Sequence, residues 1–267
     1  MLEHLLQAVA ISGHGSAFLI GKSDLAPLAL NGLDLFRICG EPIFERVLPN
    51  GRGAVLAATP NQFVRKLKQE EVESIRFKFK PSADLYESAI NSESKPYFLI
   101  TDGNAGLEAW VPTWKFRGDR LDGRNWKVHY ESERASLQIL GPSKRIPDVC
   151  QEMLNQLKSL QGYFAEFDER TWHNRCTALI DLHCIQDPSI DRHPDLIPSK
   201  DYPKANRALL ASSIRILQLG FAQPLRELVM NSQNAELKNR LQTLVRLACD
   251  GLESSLILDA DHMKAAA

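Results

Sequence analysis

Residue types that handle phosphates and bases crowd between Trp110 and Tyr130. The interval holds three of the four tryptophans (Trp110, Trp114, Trp126) with Lys115, Arg117, Arg120, Arg124 and Lys127, against Asp119 and Asp122, a local charge of +3. Guanidinium groups grip phosphates through paired hydrogen bonds and indoles stack on bases, so the mixture suits single-stranded nucleic acid. Upstream, Ser74 to Lys80 alternates Ile75, Phe77 and Phe79 with Arg76, Lys78 and Lys80. A strand there puts the three cations on one face, where they extend the same basic surface. The expected nucleic-acid-binding set is therefore Arg76, Lys78, Lys80, Trp114, Lys115, Arg117, Arg120, Arg124 and Lys127. His129, between that set and Tyr130, is the candidate general base if the chain cleaves RNA, because imidazole takes and returns protons near neutral pH.

Near the N-terminus, Gly13-His14-Gly15-Ser16 and Gly21-Lys22-Ser23 lie close together. A Walker phosphate loop needs a glycine where Ser16 stands, and the intervening Ala17-Phe18-Leu19-Ile20 is apolar and strand-like, so a nucleotide cradle is not expected. The segment Val9 to Ser16 resembles the strand-then-Ser-Gly-His-Gly stretch that presents the catalytic histidine of caspase-like and separase-like cysteine peptidases. The resemblance implies a Cys-His hydrolase with His14 as general base and Cys39 as nucleophile, the two at adjacent strand ends. Those folds carry further strands before the histidine, where this chain has 13 residues. The alternative is a glycine-rich turn with a buried Cys39, and no catalytic pair is expected.

His173, Cys176, His183, Cys184 and His193 have ligand chemistry but not the paired spacing of a zinc site. Cys176 and His183 also fall on one apolar helical stripe with Trp172, Leu179 and Ile180. Packing accounts for them, and neither metal nor cofactor is expected. Asp187, Asp191, Asp195 and Asp201 punctuate a proline-rich stretch with His193, and read as a polar loop, 187–203.

These candidates need a scaffold. Alternation predicts strands at 74–80, 97–101, 107–111, 126–130 and 136–140, with Asp102 to Gly106 turning a hairpin. Thr59-Pro60-Asn61-Gln62 reads as a capping box opening a helix on Phe63, Val64 and Leu67. Helical spacing places four helices after Ile146: on Val149 to Leu160, on Trp172 to His183 behind an Asp168 cap, on Leu210 to Phe221 ended by Pro224, and on Leu237 to Leu252. Before residue 58 a short helix on Leu2 to Val9 and buried strands at Ala17–Ile20 and Gly53–Ala58 are expected. The fold class is α+β, a central antiparallel sheet of four to six strands with a C-terminal helical bundle packed against it. The regions divide at 1–145 and 146–264.

The chain has 267 residues, 32 Lys+Arg against 33 Asp+Glu, and 44% hydrophobic residues. That is ordinary globular composition, which excludes fibrous and disordered classes. Its apolar runs are far short of the ~20 residues of a membrane span, so no membrane partner is expected. Five scattered cysteines without a CxxC pair, and no basic leader, point to the cytoplasm. The sequence expectation is a binder of RNA or single strands rather than duplex DNA, as in RNA-processing or ribonucleoprotein subunits. A protein-interaction subunit docking through the Trp-rich hairpin is the other alternative.

Overall fold

The structure is a computed structural model that describes residues 2–21, 30, 33–40, 42–48, 50–80, 97–104, 106–116, 126–136, 144–183, 193, 195–198, 200–220, 225 and 235–258. In chain order the elements are α1 (Leu2–Leu19), α2 (Asp34–Cys39), β1 (Ile43–Val47), β2 (Gly53–Ala57), α3 (Pro60–Gln69), β3 (Val72–Phe79), β4 (Tyr97–Gly103), β5 (Gly106–Phe116), β6 (Trp126–Arg134), α4 (Ile146–Glu166), α5 (Arg170–Asp181), α6 (Lys204–Gly220) and α7 (Ala235–Ser255). The chain is α+β. No helix of the described residues is long and apolar enough to cross a membrane.

Alternating apolar residues make the sheet, whose strand order is β2-β1-β6-β5-β4-β3. From β3 to β6 every neighbour is antiparallel, with Leu99 opposite Trp110 and Pro112 opposite Tyr130. β1 joins β6 in parallel, Phe44 opposite Tyr130, and β2 closes the far edge antiparallel to β1. A parallel neighbour requires a long crossover, and here the chain from β1 to β6 supplies it. Gly106, at φ 95°, takes the turn between β4 and β5 that side chains resist.

Thr59 caps α3 as its sequence implies: its hydroxyl accepts from the Gln62 N–H at 3.2 Å. Gln62 returns the contact one residue early, its Oε1 accepting from the Ala58 N–H at 3.0 Å. Asp168 does not cap α5. It sits at φ 54° in the connection from α4, and Glu169 occupies the cap position.

α1 departs most from expectation. Ala17–Ile20 is not a strand, and Ser12-Gly13-His14-Gly15-Ser16 is not a turn but the interior of one 18-residue helix. Its small residues permit close packing. A Cβ on Gly13 would meet Ile197 Cγ2 at 2.5 Å, and one on Gly15 would meet Ile75 Cδ1 at 2.5 Å. Ser12 and Ser16 donate their hydroxyls to the Ile75 carbonyl at 3.0 and 2.6 Å. Each glycine costs the helix about 1 kcal/mol relative to alanine, and these tertiary contacts outweigh that cost.

One apolar core spans sheet and helices: Phe44, Phe63, Trp110 and Tyr130 belong to the same cluster as Met153 and Leu157 of α4 and Leu241 and Leu244 of α7. α6 and α7 approach closely, for a Cβ on Gly251 would fall 2.2 Å from Ser213 Oγ. The stretch 187–203 is not simply polar loop. Its described part buries Leu196 and Ile197, and Tyr202 donates its hydroxyl to the Gly13 carbonyl at 3.1 Å. The expected strand at 136–140 lies outside the described residues save Ser136, which is not in a strand.

Candidate functional site

Strand alternation divides the sheet into two faces. The helix-facing side carries Phe44, Phe77, Leu99, Trp110, Trp114 and Tyr130, all buried. Residues one step out of phase, among them Arg76, Thr113, Lys115, Lys127 and His129, share the reverse side. A small second apolar cluster of Phe98, Ile100 and Ala109 lies there as well.

The pairing register brings two expected cations together. Lys115 on β5 stands directly opposite Lys127 on β6, and both are exposed. Opposed residues on one face have Cβ atoms ~5 Å apart, where like charges repel. Neither lysine has an acidic partner among the described residues. Continuing the rungs, the C-terminal end of β3, where Lys80 follows Phe79, lies toward the same end of the sheet. Lys80 and Arg76 are half-buried. Arg117, Arg120 and Arg124 lie outside the described residues, in the chain between the ends of β5 and β6.

Two members of the expected set belong elsewhere. Trp114 is 2% exposed, its ring stacked on His4 at 3.9 Å with 5° between planes, so it has no face to offer a base. Lys78 is 8% exposed; its ammonium donates to Glu253 Oε2 of α7 at 2.8 Å. Burial holds the Glu253 carboxyl above the usual carboxylate range, against the pull of Lys78. Alternation assigns faces but not what packs beyond them: α7 meets Lys78 at the β3 edge, and His4 of α1 lies against Trp114. Trp110 is in the core too, its Nε1 donating to Thr101 Oγ1 at 3.0 Å. The Trp-rich hairpin therefore does not present these two rings to a partner; the Trp126 side chain lies outside those described.

His129 lies on the reverse face one rung from Tyr130. Its Nε2 is 3.0 Å from Glu45 Oε2 and its Nδ1 is 3.4 Å from Glu131 Oε1. Glu131 is two residues along the same strand, so alternation alone puts it there. Glu45 arrives through the parallel β1–β6 pairing, which no local pattern announces. Gly53 makes room for it, since a Cβ at 53 would collide with the Glu45 carboxylate. A general base needs one ring nitrogen open to substrate. Here both face carboxylates, so the arrangement holds the imidazole rather than freeing it.

His14 and Cys39 do not stand at strand ends. His14 is inside α1 and Cys39 closes α2; the side chain of Cys39 is not among those described. The strand geometry that the peptidase resemblance implied is absent. His14 is buried, its Nε2 donating to the Asp195 carbonyl at 2.9 Å. Burial pushes its pKa below the ordinary histidine value, with Asp195 and Asp201 pulling weakly the other way.

No group of three or more His, Cys, Asp or Glu that could hold a metal occurs among the described residues. Burial raises the Cys176 thiol to about 12, and His183 bonds the Cys150 carbonyl at 2.8 Å. Cys184 lies outside the described residues.

Comparison with known protein families, with curated proteins and with solved structures finds no match.

Proposed function

We propose that this chain binds single-stranded nucleic acid, RNA above all, through its phosphates at the Lys115–Lys127 end of the sheet. The observation that carries the reading is that pair: two exposed lysines opposed across a rung without an acidic partner among the described residues. Opposed like charges cost stability in the free protein, and a phosphate between them removes the cost. Arg117, Arg120 and Arg124, in the intervening sequence, raise the density of cations that a flexible strand of phosphates can meet. With Trp110 and Trp114 in the core, backbone charge rather than indole stacking supplies the affinity. Binding is then tolerant of sequence and sensitive to salt.

Fluorescence anisotropy of a labelled single-stranded RNA tests this, with single-stranded and duplex DNA alongside. The double variant Lys115→Glu/Lys127→Glu is expected to weaken binding and lower the log-log salt slope by roughly one unit per lost phosphate contact. Lys158→Glu/Lys238→Glu on the helices makes the same change of net charge and is expected to bind as wild type. A wild-type chain that shifts no single strand at low salt overturns the reading.

A further inference from the structure

The sheet has two edges, and they are finished differently. At the β3 edge, Ser12 and Ser16 bond the Ile75 carbonyl, and Glu253 Oε1 accepts the Phe79 N–H at 2.7 Å. Helices α1 and α7 thus occupy backbone groups that an edge strand otherwise offers to a further strand.

Among the described residues, the β2 edge carries no such cover. Gly53, Ala54 and Val55 are exposed, Val55 to 65%. The Leu48 N–H bonds the Arg52 carbonyl at 2.8 Å, so residue 52 turns its peptide groups toward β1. The register continues from there without a shift through Val47↔Gly53 to Glu45↔Val55. Antiparallel alternation then turns the N–H and C=O of Gly53 and Val55 outward. These groups have no hydrogen-bond partner among the described residues. The five residues Gly53-Ala54-Val55-Leu56-Ala57 contain no lysine, proline or inward charge, three of the devices that keep natural edges apart, and the register shift between Glu45↔Val55 and Phe44↔Ala57 comes only after Val55.

We propose that β2 pairs antiparallel with β2 of a second copy of this chain, joining two six-stranded sheets across a two-fold axis at Val55. Self-pairing is the choice that the charges favour. About that axis Val55 meets the copy's Val55, and Gly53 meets the copy's Ala57, so the strand opposes no like charges. The nearest exposed cation along it, Arg52, falls six rungs from its own copy, ~20 Å, beyond the ~10 Å over which exposed charges interact at moderate salt. At a net charge of -1, two copies also meet without long-range repulsion. The outward groups of the two Val55 residues exchange a pair of hydrogen bonds, and the arrangement closes at two copies. An interface of one short strand is small, so the dimer is weak and set by concentration.

Sedimentation of the full chain from about 1 µM to 1 mM reads this directly. The expected mass rises from 30.0 kDa toward twice that value. Hydrogen exchange at the Gly53 and Val55 amides slows as concentration rises. Val55→Lys, at an exposed side chain that the fold does not need, is expected to weaken association at least about tenfold with an unchanged melting temperature. Lys115→Glu/Lys127→Glu is expected to associate as wild type, which separates this surface from the nucleic-acid site. A monomer at every concentration overturns the proposal, even if β2 then captures a strand from another protein. Association that Val55→Lys leaves intact, or exchange at Gly53 and Val55 that ignores concentration, overturns it equally.

Discussion

His14 Nε2 donates to the carbonyl of Asp195 across 181 residues of chain, at 2.9 Å. The bond fixes the neutral tautomer with its proton on Nε2 and ties the middle of α1 to the stretch before α6. Charging this buried ring is unfavourable, and burial depresses its pKa below 6.5. Below about pH 6.5 the unfolded chain takes up a proton that the native chain refuses, so stability conferred by the neutral ring is full above that pH and is lost as pH falls toward the native value. Urea midpoints at pH 7.5 and 5.5 check this. The wild type is expected to lose more stability between them than His14→Gln, and an equal loss in both removes His14 as the source.

The Lys78–Glu253 pair closes the β3 edge with side chains only 10% and 19% exposed. Removing one partner strands the other in a dry site. Glu253→Ala is expected to cost about 3 kcal/mol, and Glu253→Leu with Lys78→Met to recover much of it. Chemical denaturation measures both. A single variant within about 0.5 kcal/mol of wild type, the range of ordinary surface changes, contradicts the account.

Alanine at Gly15 raises helix propensity by about 1 kcal/mol, yet its Cβ would stand 2.5 Å from Ile75 Cδ1. Overpacking of this kind costs about 1–3 kcal/mol. Gly15→Ala is therefore expected to lower the melting temperature, whereas alanine at Gly162, where a Cβ meets nothing within 4 Å, is expected to raise it. The opposite signs distinguish packing from propensity.

Trp114 fills the core beside His4, so truncation to alanine is expected to cost about 3–5 kcal/mol of stability. Trp114→Phe preserves most of the volume. Its nucleic-acid affinity and salt slope are expected to match the wild type, because the indole reaches no ligand. A phenylalanine variant that folds normally but loses affinity returns Trp114 to the binding surface.

What the sequence by itself determined was local. Alternation named strands at 74–80, 97–101, 107–111 and 126–130 and assigned residues to alternate faces, while the structure extends three of them, to 97–103, 106–116 and 126–134. Apolar residues at helical spacing named α4, α5 and α7, and Thr59 with Pro60 marked the start of α3. Those signals come from backbone geometry, which repeats within a few residues, so they are legible without the fold. The pairing of Lys115 with Lys127 was not legible, because the strand expected at 107–111 stops short of Lys115, whereas β5 runs on to Phe116.

Tertiary structure decided everything that depends on distant neighbours. Gly13 and Gly15 read as a turn because glycine usually breaks helices. Only Ile197 and Ile75, brought against α1 by the fold, turn them into points of close approach. Lys78 shares an alternation phase with Arg76, yet the helix beside the β3 edge takes it out of solvent. Glu45 reaches His129 through a parallel pairing separated by 84 residues, and Trp114 lost its expected exposure to His4 at the other end of the chain. In each case side-chain type set what contacts were possible, while burial and pairing between remote segments chose among them, because those energies exist only once the segments meet.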